Sequence, residues 1–459
     1  MPNERDDGYL TKDEWIKIGD LTRQCADSCR IDPKFYSQYD VKKGLRDLDG
    51  RGVLAGLTEI SEVKATAEAD GKRVPAPGEL YYRGYNVNDL VKGFLTDKRF
   101  GFEEATYLLL TGKLPSAREL RSFCDLLGEF YTLPKNFVRD IIMKSPSEDM
   151  MNSLMRCVIS LFPYDPDPNN TAPDNVMRQC LQLIAQVPIF SVYSYAASSF
   201  YNKSDSLVIH RPRPDLSMAE NILYMLRQDC SYTELEARVL DMALVLHAEH
   251  GGGNNSSFTT HVVTSSGTDT YSAIVAALAS LKGPRHGGAN IRVMRMFEDM
   301  KSNIDTRDDD QLRAYLEALV DGKAFDGAGL IYGIGHAVYS VSDPRAKIFK
   351  GFVEKLSYEK GLHDEYNLYA RVEQFAPEII SQKRKMYKGV SANVDFYSGF
   401  AYSMLNIPIE LYTPIFAIAR MAGWSAHRME ELVNAGKIIR PAYQAVAEHR
   451  EYVPMKDRK

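Results

Sequence analysis

The chain has 459 residues, 44% apolar and 25% charged, enough to bury the cores of two or three domains and too apolar to be disordered as a whole. Lys plus Arg number 56 against 61 Asp plus Glu, a formal net charge of −5. That balance gives no long-range attraction for a phosphate backbone, which excludes generic nucleic-acid binding but leaves room for a local basic pocket holding a small anion.

The opening MPNERDDGYL has neither the apolar core of a signal peptide nor an Arg-rich, acid-poor character, so a cytoplasmic address is expected. Trp15, Ile18, Thr22, Cys25 and Cys29 give the next segment a helical face, read as docked on the body or on a partner subunit. Glu79 to Tyr85 (ELYYRGY) is the best short strand or hairpin, because Pro77 and Gly78 spoil a helical reading. Phe102, Ala105, Thr106 and Leu109 fall on one helical face. Ser116 with Glu119, and Ser217 with Glu220, have the spacing of capping boxes. The longest apolar stretch, Leu181 to Phe200, is interrupted by Gln182, Gln186 and Pro188, so no membrane span is expected. Leu235, Val239, Met242, Ala243 and Leu246 form a helical stripe expected to stop at Gly251-Gly252-Gly253. Tyr271 to Leu281 is helical and rich in Ala and Ser, which lets a second helix approach closely. The six cysteines, Cys25, Cys29, Cys124, Cys157, Cys180 and Cys230, contain no C-x-x-C and are read as reduced packing residues. Alternating patterns are scarce, so the expected class is all-α: a large helical body with a lobe that leaves and rejoins it.

Four segments carry unusual chemistry. In His247-Ala-Glu-His250-Gly-Gly-Gly-Asn254, two histidines stand one turn apart at a helix C-terminus, where the backbone carbonyls favour a protonated imidazole. They are structural, or they hold an anion, or they share a metal, although H-E-x-x-H is absent and no third ligand is evident. In Lys282-Gly-Pro-Arg-His286-Gly-Gly-Ala-Asn290, the histidine is either a turn residue or sits where glycines admit a ligand. In Tyr332-Gly-Ile-Gly-His336-Ala-Val-Tyr339, Gly333 and Gly335 either loosen a turn or expose N–H groups to an anion. Arg345, nine residues after His336, has the fork that fits a carboxylate. In Asn393-Val-Asp395-Phe-Tyr-Ser-Gly399, Asp395 is either a helix cap or a base raised by apolar neighbours. Taken together, three acid–base candidates (His286, His336, Asp395) with three carboxylate binders (His250, Arg345, Arg420) point to enolisation or carbonyl addition on an acidic substrate.

These motifs, in this order, resemble the citrate synthase family from about Gly52 to Pro441. GELYYRGYNVNDL (Gly78 to Leu90) and FEEATYLLLTGKLP (Phe102 to Pro115) are similar to the family's N-terminal hairpin and early helix. The resemblance implies an all-α fold with few short N-terminal strands. It implies a large domain, 1–287 with 407–459, carrying dimerisation and the oxaloacetate side, and a mobile smaller domain, 288–406, on the CoA side. It further implies that His286 stabilises the enol of acetyl-CoA, that Asp395 removes the methyl proton and that His336 polarises the oxaloacetate ketone. His250, Arg345 and Arg420 resemble the oxaloacetate ligands, Arg440 the arginine that reaches the neighbouring subunit's site, and Gly333 and Gly335 the CoA-side contacts. The implied partners are oxaloacetate and an acyl-CoA within a homodimer, with acetyl-CoA as substrate, no permanently bound cofactor, no metal, no nucleic acid and no membrane. Gly251, Ala337 and Ala442 depart from common family residues without removing a reacting group. The rival activities are 2-methylcitrate synthesis from propionyl-CoA and, in a different class, non-catalytic dicarboxylate binding.

Overall fold

The computed structural model describes residues 5–6, 10–47, 51–69, 71–335, 338–384, 389–434 and 436–458. The chain divides into two compact units, Met1–Ala55 with Arg440–Lys459, and Gly56–Ile439. The expected large domain, 1–287 with 407–459, and small domain, 288–406, follow a different division.

In the first unit, helix α1 (Lys12–Ser28) opens on a capping box. Thr11 Oγ1 accepts the Glu14 N–H at 3.3 Å, and the Glu14 carboxylate accepts the Thr11 N–H at 2.6 Å. Its apolar face, including Trp15, Ile18 and Leu21, is exposed. Cys25 and Cys29 are free thiols with their sulfurs 3.8 Å apart.

The second unit begins with an antiparallel sheet of β1 (Ser61–Ala69), β2 (Lys72–Tyr82) and β3 (Tyr85–Asn86). The expected hairpin is the end of β2 with its turn, where Arg83 and Gly84 take φ of 48° and 84°. The strand runs on through Pro77 and Gly78 because the register shifts there: Lys64 pairs with Glu79, but Thr66 pairs with Pro75. A bulge absorbs what a regular ladder rejects.

Helices build the rest. Those that place the site are α2 (Phe102–Thr111), α3 (Pro173–Lys203), α4 (Glu234–His247), α5 (Asn255–Thr264), α6 (Thr270–Lys282), α7 (Ala289–Asn303), α8 (Pro344–Glu359), α9 (Val394–Met404) and α10 (Tyr412–Val433). Helix α10 packs on α2, α3, α4 and α5, with Trp424 wholly buried at the centre. Helix α3 is long and apolar enough to cross a membrane, yet 83% of its apolar window is buried inside the protein. A helix apolar all round belongs in such a core. Both expected capping boxes are present at Ser116 and Ser217. Helix α4 ends at His247, ahead of the three glycines, so His250 lies beyond the helix rather than on its last turn.

Candidate active site

His247, in the last turn of α4, is fully buried, its ring 4.5 Å from that of Phe416, and neither ring nitrogen makes a hydrogen bond among the described residues. Burial, reinforced by the charges of Arg345 and Arg420, holds its pKa well below the usual histidine value. The protonated imidazole expected at a helix C-terminus is thus reversed here. The dipole contributes at most about 2 kcal/mol, less than the cost of burying a cation beside two guanidinium groups. His250 is also buried, edge-on to Tyr339 at 5.5 Å, and the Arg345 guanidinium lies 5.9 Å from that same ring.

Arg345 enters at the start of α8. Asp343 caps this helix by accepting the Arg345 N–H at 2.9 Å. The same carboxylate takes Arg345 Nε at 3.0 Å and Nη2 at 2.7 Å. The fork predicted for Arg345 is therefore made to the protein's own Asp343, which fixes the guanidinium plane.

Arg420 comes from the middle of α10 and is completely buried. Its Nε donates to the His247 carbonyl at 2.7 Å, while Nη1 and Nη2 make no hydrogen bond among the described residues. Arg428, two turns on, shows the contrast. It is equally buried, but Nε, Nη1 and Nη2 reach Thr270 Oγ1 at 3.1 Å, Thr264 Oγ1 at 3.2 Å and the Thr268 carbonyl at 2.9 Å. Arg428 is satisfied by the fold. Arg420 presents two buried donors that an anion would satisfy.

His286 lies between α6 and α7, half-buried, with Nε2 3.0 Å from Ser256 Oγ in the first turn of α5. Burial, with Arg420 adding to it, lowers its pKa to about 4, so the ring is neutral at pH 7. Asp395 stands in the first turn of α9, and it is not the cap. Asn393 Oδ1 accepts the Asp395 N–H at 3.0 Å, leaving the Asp395 carboxylate for other work. Burial pushes Asp395 up to about 6, against the pull of Arg345 and Arg420 and with a further push from Asp343.

The third and fourth motifs are stitched together. Asn393 N–H bonds the Gly333 carbonyl at 2.9 Å, Asn393 Nδ2 the Gly335 carbonyl at 2.9 Å, and Gly335 N–H the Ser391 carbonyl at 2.8 Å. A Cβ on Gly333 would lie 2.8 Å from the Phe396 ring. These glycines let the loop lie on α9, and the Gly335 N–H, expected to face an anion, is taken by Ser391. His336 lies outside the described residues. Arg440 belongs to the first unit, where it is exposed.

The fold thus gathers His247, His286, Arg345 and Asp395 around the charge of Arg420. Ser256, Asp343, Asn393 and Phe416 are the positioning residues that motif reading missed. Ser256 and Phe416 act on partners distant in sequence, whereas Asn393 and Asp343, each just before a helix, were legible as caps. A cleft of about 780 Å³, walled by Arg99, Glu103, Cys124, Tyr131 and Ser217 among others, contains none of these groups. Chemically, the arrangement offers a carboxylate base tuned near neutrality, a neutral imidazole donor, and unsatisfied guanidinium N–H groups.

The family model "Citrate synthase, C-terminal domain" matches residues 45–442. The chain is 34% identical over 425 residues to the citrate synthase of Haloferax volcanii, covering 91% of this chain and 99% of that one. It is 32% identical over 429 residues to 2-methylcitrate synthase 1 of Corynebacterium glutamicum, covering 92% and 100%. Among solved structures, it resembles Thermoplasma acidophilum citrate synthase in ternary complex with carboxymethyl coenzyme A and oxaloacetate. The TM-score is 0.73 at 28% identity, over 91% of this chain and 99% of that one.

Proposed function

The chain belongs to the citrate synthase family, enzymes of the acyltransferase type, and we propose that its residues run the family's condensation as follows. Asp395 takes a proton from the methyl carbon of acetyl-CoA, while His286 donates a hydrogen bond to the thioester oxygen and stabilises the enol. With the Ser256 hydroxyl donating to Nε2, the His286 proton sits on Nδ1. The enol carbon attacks the ketone carbon of oxaloacetate, His336 supplying the proton to the new alkoxide. Water then cleaves the thioester, giving citrate and CoA. His250, Arg345 and Arg420 bind the oxaloacetate carboxylates, and side chains alone carry every step.

The observation that carries this reading is the pairing of Asp395, pushed to about 6, with a neutral His286, both beside Arg420. A carboxylate abstracts a carbon-bound proton only when the enol oxygen meets a fixed donor and water is kept away. The reading includes closure of residues 288–406 over residues 1–287 and 407–459, which forms the CoA site after oxaloacetate binds. It also includes a homodimer in which Arg440 reaches the neighbouring active site, and a cytoplasmic address. Exposed apolar side chains of the first unit, such as Trp15, Leu21 and Leu54, support an assembly that covers them.

Thiol release with acetyl-CoA and with propionyl-CoA, each with and without oxaloacetate, tests the reading. Release that needs oxaloacetate and favours acetyl-CoA is expected. A strong propionyl preference reassigns the product to 2-methylcitrate. Oxaloacetate binding with no thiol release from either acyl-CoA makes the chain a dicarboxylate binder.

A further inference from the structure

A row of four titratable side chains runs behind the loop that carries His250. Glu249 Oε1 is 3.1 Å from His427 Nε2, His427 Nδ1 is 3.0 Å from His261 Nε2, and His261 Nδ1 is 2.8 Å from Glu431 Oε2. His427 is fully buried and His261 nearly so, its side chain 13% exposed. The order is carboxylate, imidazole, imidazole, carboxylate.

A neutral imidazole has one N–H, and the nitrogen facing a carboxylate is the one that keeps it. With both rings neutral, Glu249 and Glu431 favour N–H on the outer nitrogens, and the inner nitrogens face each other as lone pairs 3.0 Å apart. In the ion-free chain, against the effect of burial, Glu249 and Glu430 push His427 up to about 9, so a proton fills that gap at pH 7. Two lone pairs at that distance repel unless a cation lies between them. A third acceptor lies within 4.8 Å of both. Glu430 Oε1 accepts the Glu59 N–H at 2.7 Å, but Glu430 Oε2, 3.8 Å from His427 Nδ1, is buried and accepts no hydrogen bond among the described residues.

A proton satisfies two of these three atoms. A divalent ion satisfies all three. His261, His427 and Glu430 each offer one ligand atom, and these atoms lie within 4.8 Å of one another. Nitrogen and oxygen ligands at roughly 2.0–2.2 Å from zinc stand about 3.3–3.5 Å apart on a tetrahedron, between the 3.0 and 3.8 Å found here. A histidine metal site also calls for a carboxylate on the outer nitrogen of each ligating ring. Glu431 meets it with a hydrogen bond to His261 Nδ1, and Glu249 Oε1 lies 3.1 Å from His427 Nε2 without hydrogen-bond geometry.

We propose that His261, His427 and Glu430 form a site for a zinc-class divalent transition-metal ion, with Glu249 and Glu431 as the orienting carboxylates. The donor set suits ions that prefer imidazole, and a pair of nitrogens with one carboxylate selects against Ca²⁺ and Mg²⁺. The site is separate from the acyl-transfer chemistry, which uses none of its three ligands.

The test uses the full-length chain carrying Cys25→Ser and Cys29→Ser, because those exposed sulfurs are close enough to bind zinc themselves. After chelator treatment, Co²⁺ is titrated and read by visible absorption, and Zn²⁺ uptake is read by equilibrium dialysis. One equivalent per chain is expected, with the visible bands of low-coordinate Co²⁺ and no thiolate charge-transfer band. His261→Gln and Glu430→Gln should each weaken uptake, His261→Gln by at least about 100-fold. Absence of saturable uptake in the parent overturns the proposal and makes a proton the occupant. Undiminished uptake in a folded His261→Gln or Glu430→Gln chain, judged by circular dichroism, overturns it as well. If one variant fails to fold, the other decides.

Discussion

As the proposed base, Asp395 joins two demands that usually conflict: it must be enclosed enough to hold its proton near neutrality, yet free to react. Asn393 resolves this by taking over the cap. Because the folded pKa, about 6, lies above the ordinary value of 3.8, ionising Asp395 costs the folded state stability. That cost is absent below about pH 4, grows between pH 4 and 6, and is constant above. Asp395→Asn should then stabilise the protein at pH 7.5 by on the order of 2–3 kcal/mol and by nothing near pH 4, read from thermal or urea unfolding. Turnover should fall by at least about 10²–10⁴-fold. The wild-type kcat/KM for acyl-CoA should drop tenfold per pH unit below about 6. A variant that is inactive but no more stable at pH 7.5 would deny Asp395 its raised pKa.

Arg420 and Arg428 make a paired prediction at the same scale. They sit on one buried helix, so sequence position does not tell them apart; partners do. Arg428→Gln breaks three hydrogen bonds, two to buried hydroxyls and one to a half-buried carbonyl, and should cost about 3 kcal/mol. Arg420→Gln loses one bond and removes two unsatisfied donors, so unfolding should shift by less than about 1.5 kcal/mol. Its effect should appear instead as a rise of at least about tenfold in the oxaloacetate KM. The reverse pattern would exchange their roles.

Elements were legible where local signals agree. Helix α2, helix α6 and the boxes at Ser116 and Ser217 combine apolar period with capping chemistry, and they stand as expected. Strand β1 did not stand out, because S-E-V-K-A-T-A-E-A places only small or single apolar residues on its inner face, and its identity comes from pairing with β2. The end of α4 was misplaced because glycine marks where a helix can stop, not where tertiary packing stops it. That packing depends on Gly423 in α10. A Cβ there would lie well inside contact distance of Glu249 Oε2 and 2.5 Å from the Ala248 carbonyl. Gly423→Ala should therefore lower Tm and weaken oxaloacetate binding together, by pushing the His247–His250 stretch off α10. Gly351→Ala, in α8 with nothing within 4 Å of its Cβ, is the control and should stabilise by about 0.5–1 kcal/mol. Equal responses in the two variants would show that close approach at Gly423 is unimportant.

At the scale of the whole molecule, four motifs far apart in sequence announced the family. They could not announce that Arg345 is held by Asp343 or that Arg420 keeps two donors unsatisfied, since those facts exist only after folding. They bear on the order of binding. His250 and Arg420 come from the proposed large domain and Arg345 and Asp395 from the proposed small one, so a dicarboxylate bound to all three ligands ties the two together. Oxaloacetate alone should accordingly raise Tm, by an amount corresponding to about 2.7 kcal/mol at one hundred times its Kd. Acetyl-CoA alone should raise it little, because in the proposed closure its site forms only after oxaloacetate binds, and should add stability once oxaloacetate is present. Arg420→Gln should abolish the oxaloacetate shift at the same ligand concentration and, with it, the effect of acetyl-CoA. Protection by acetyl-CoA alone, as large as that by both substrates, would mean that the acyl site stands ready in the free enzyme and that closure does not govern the reaction.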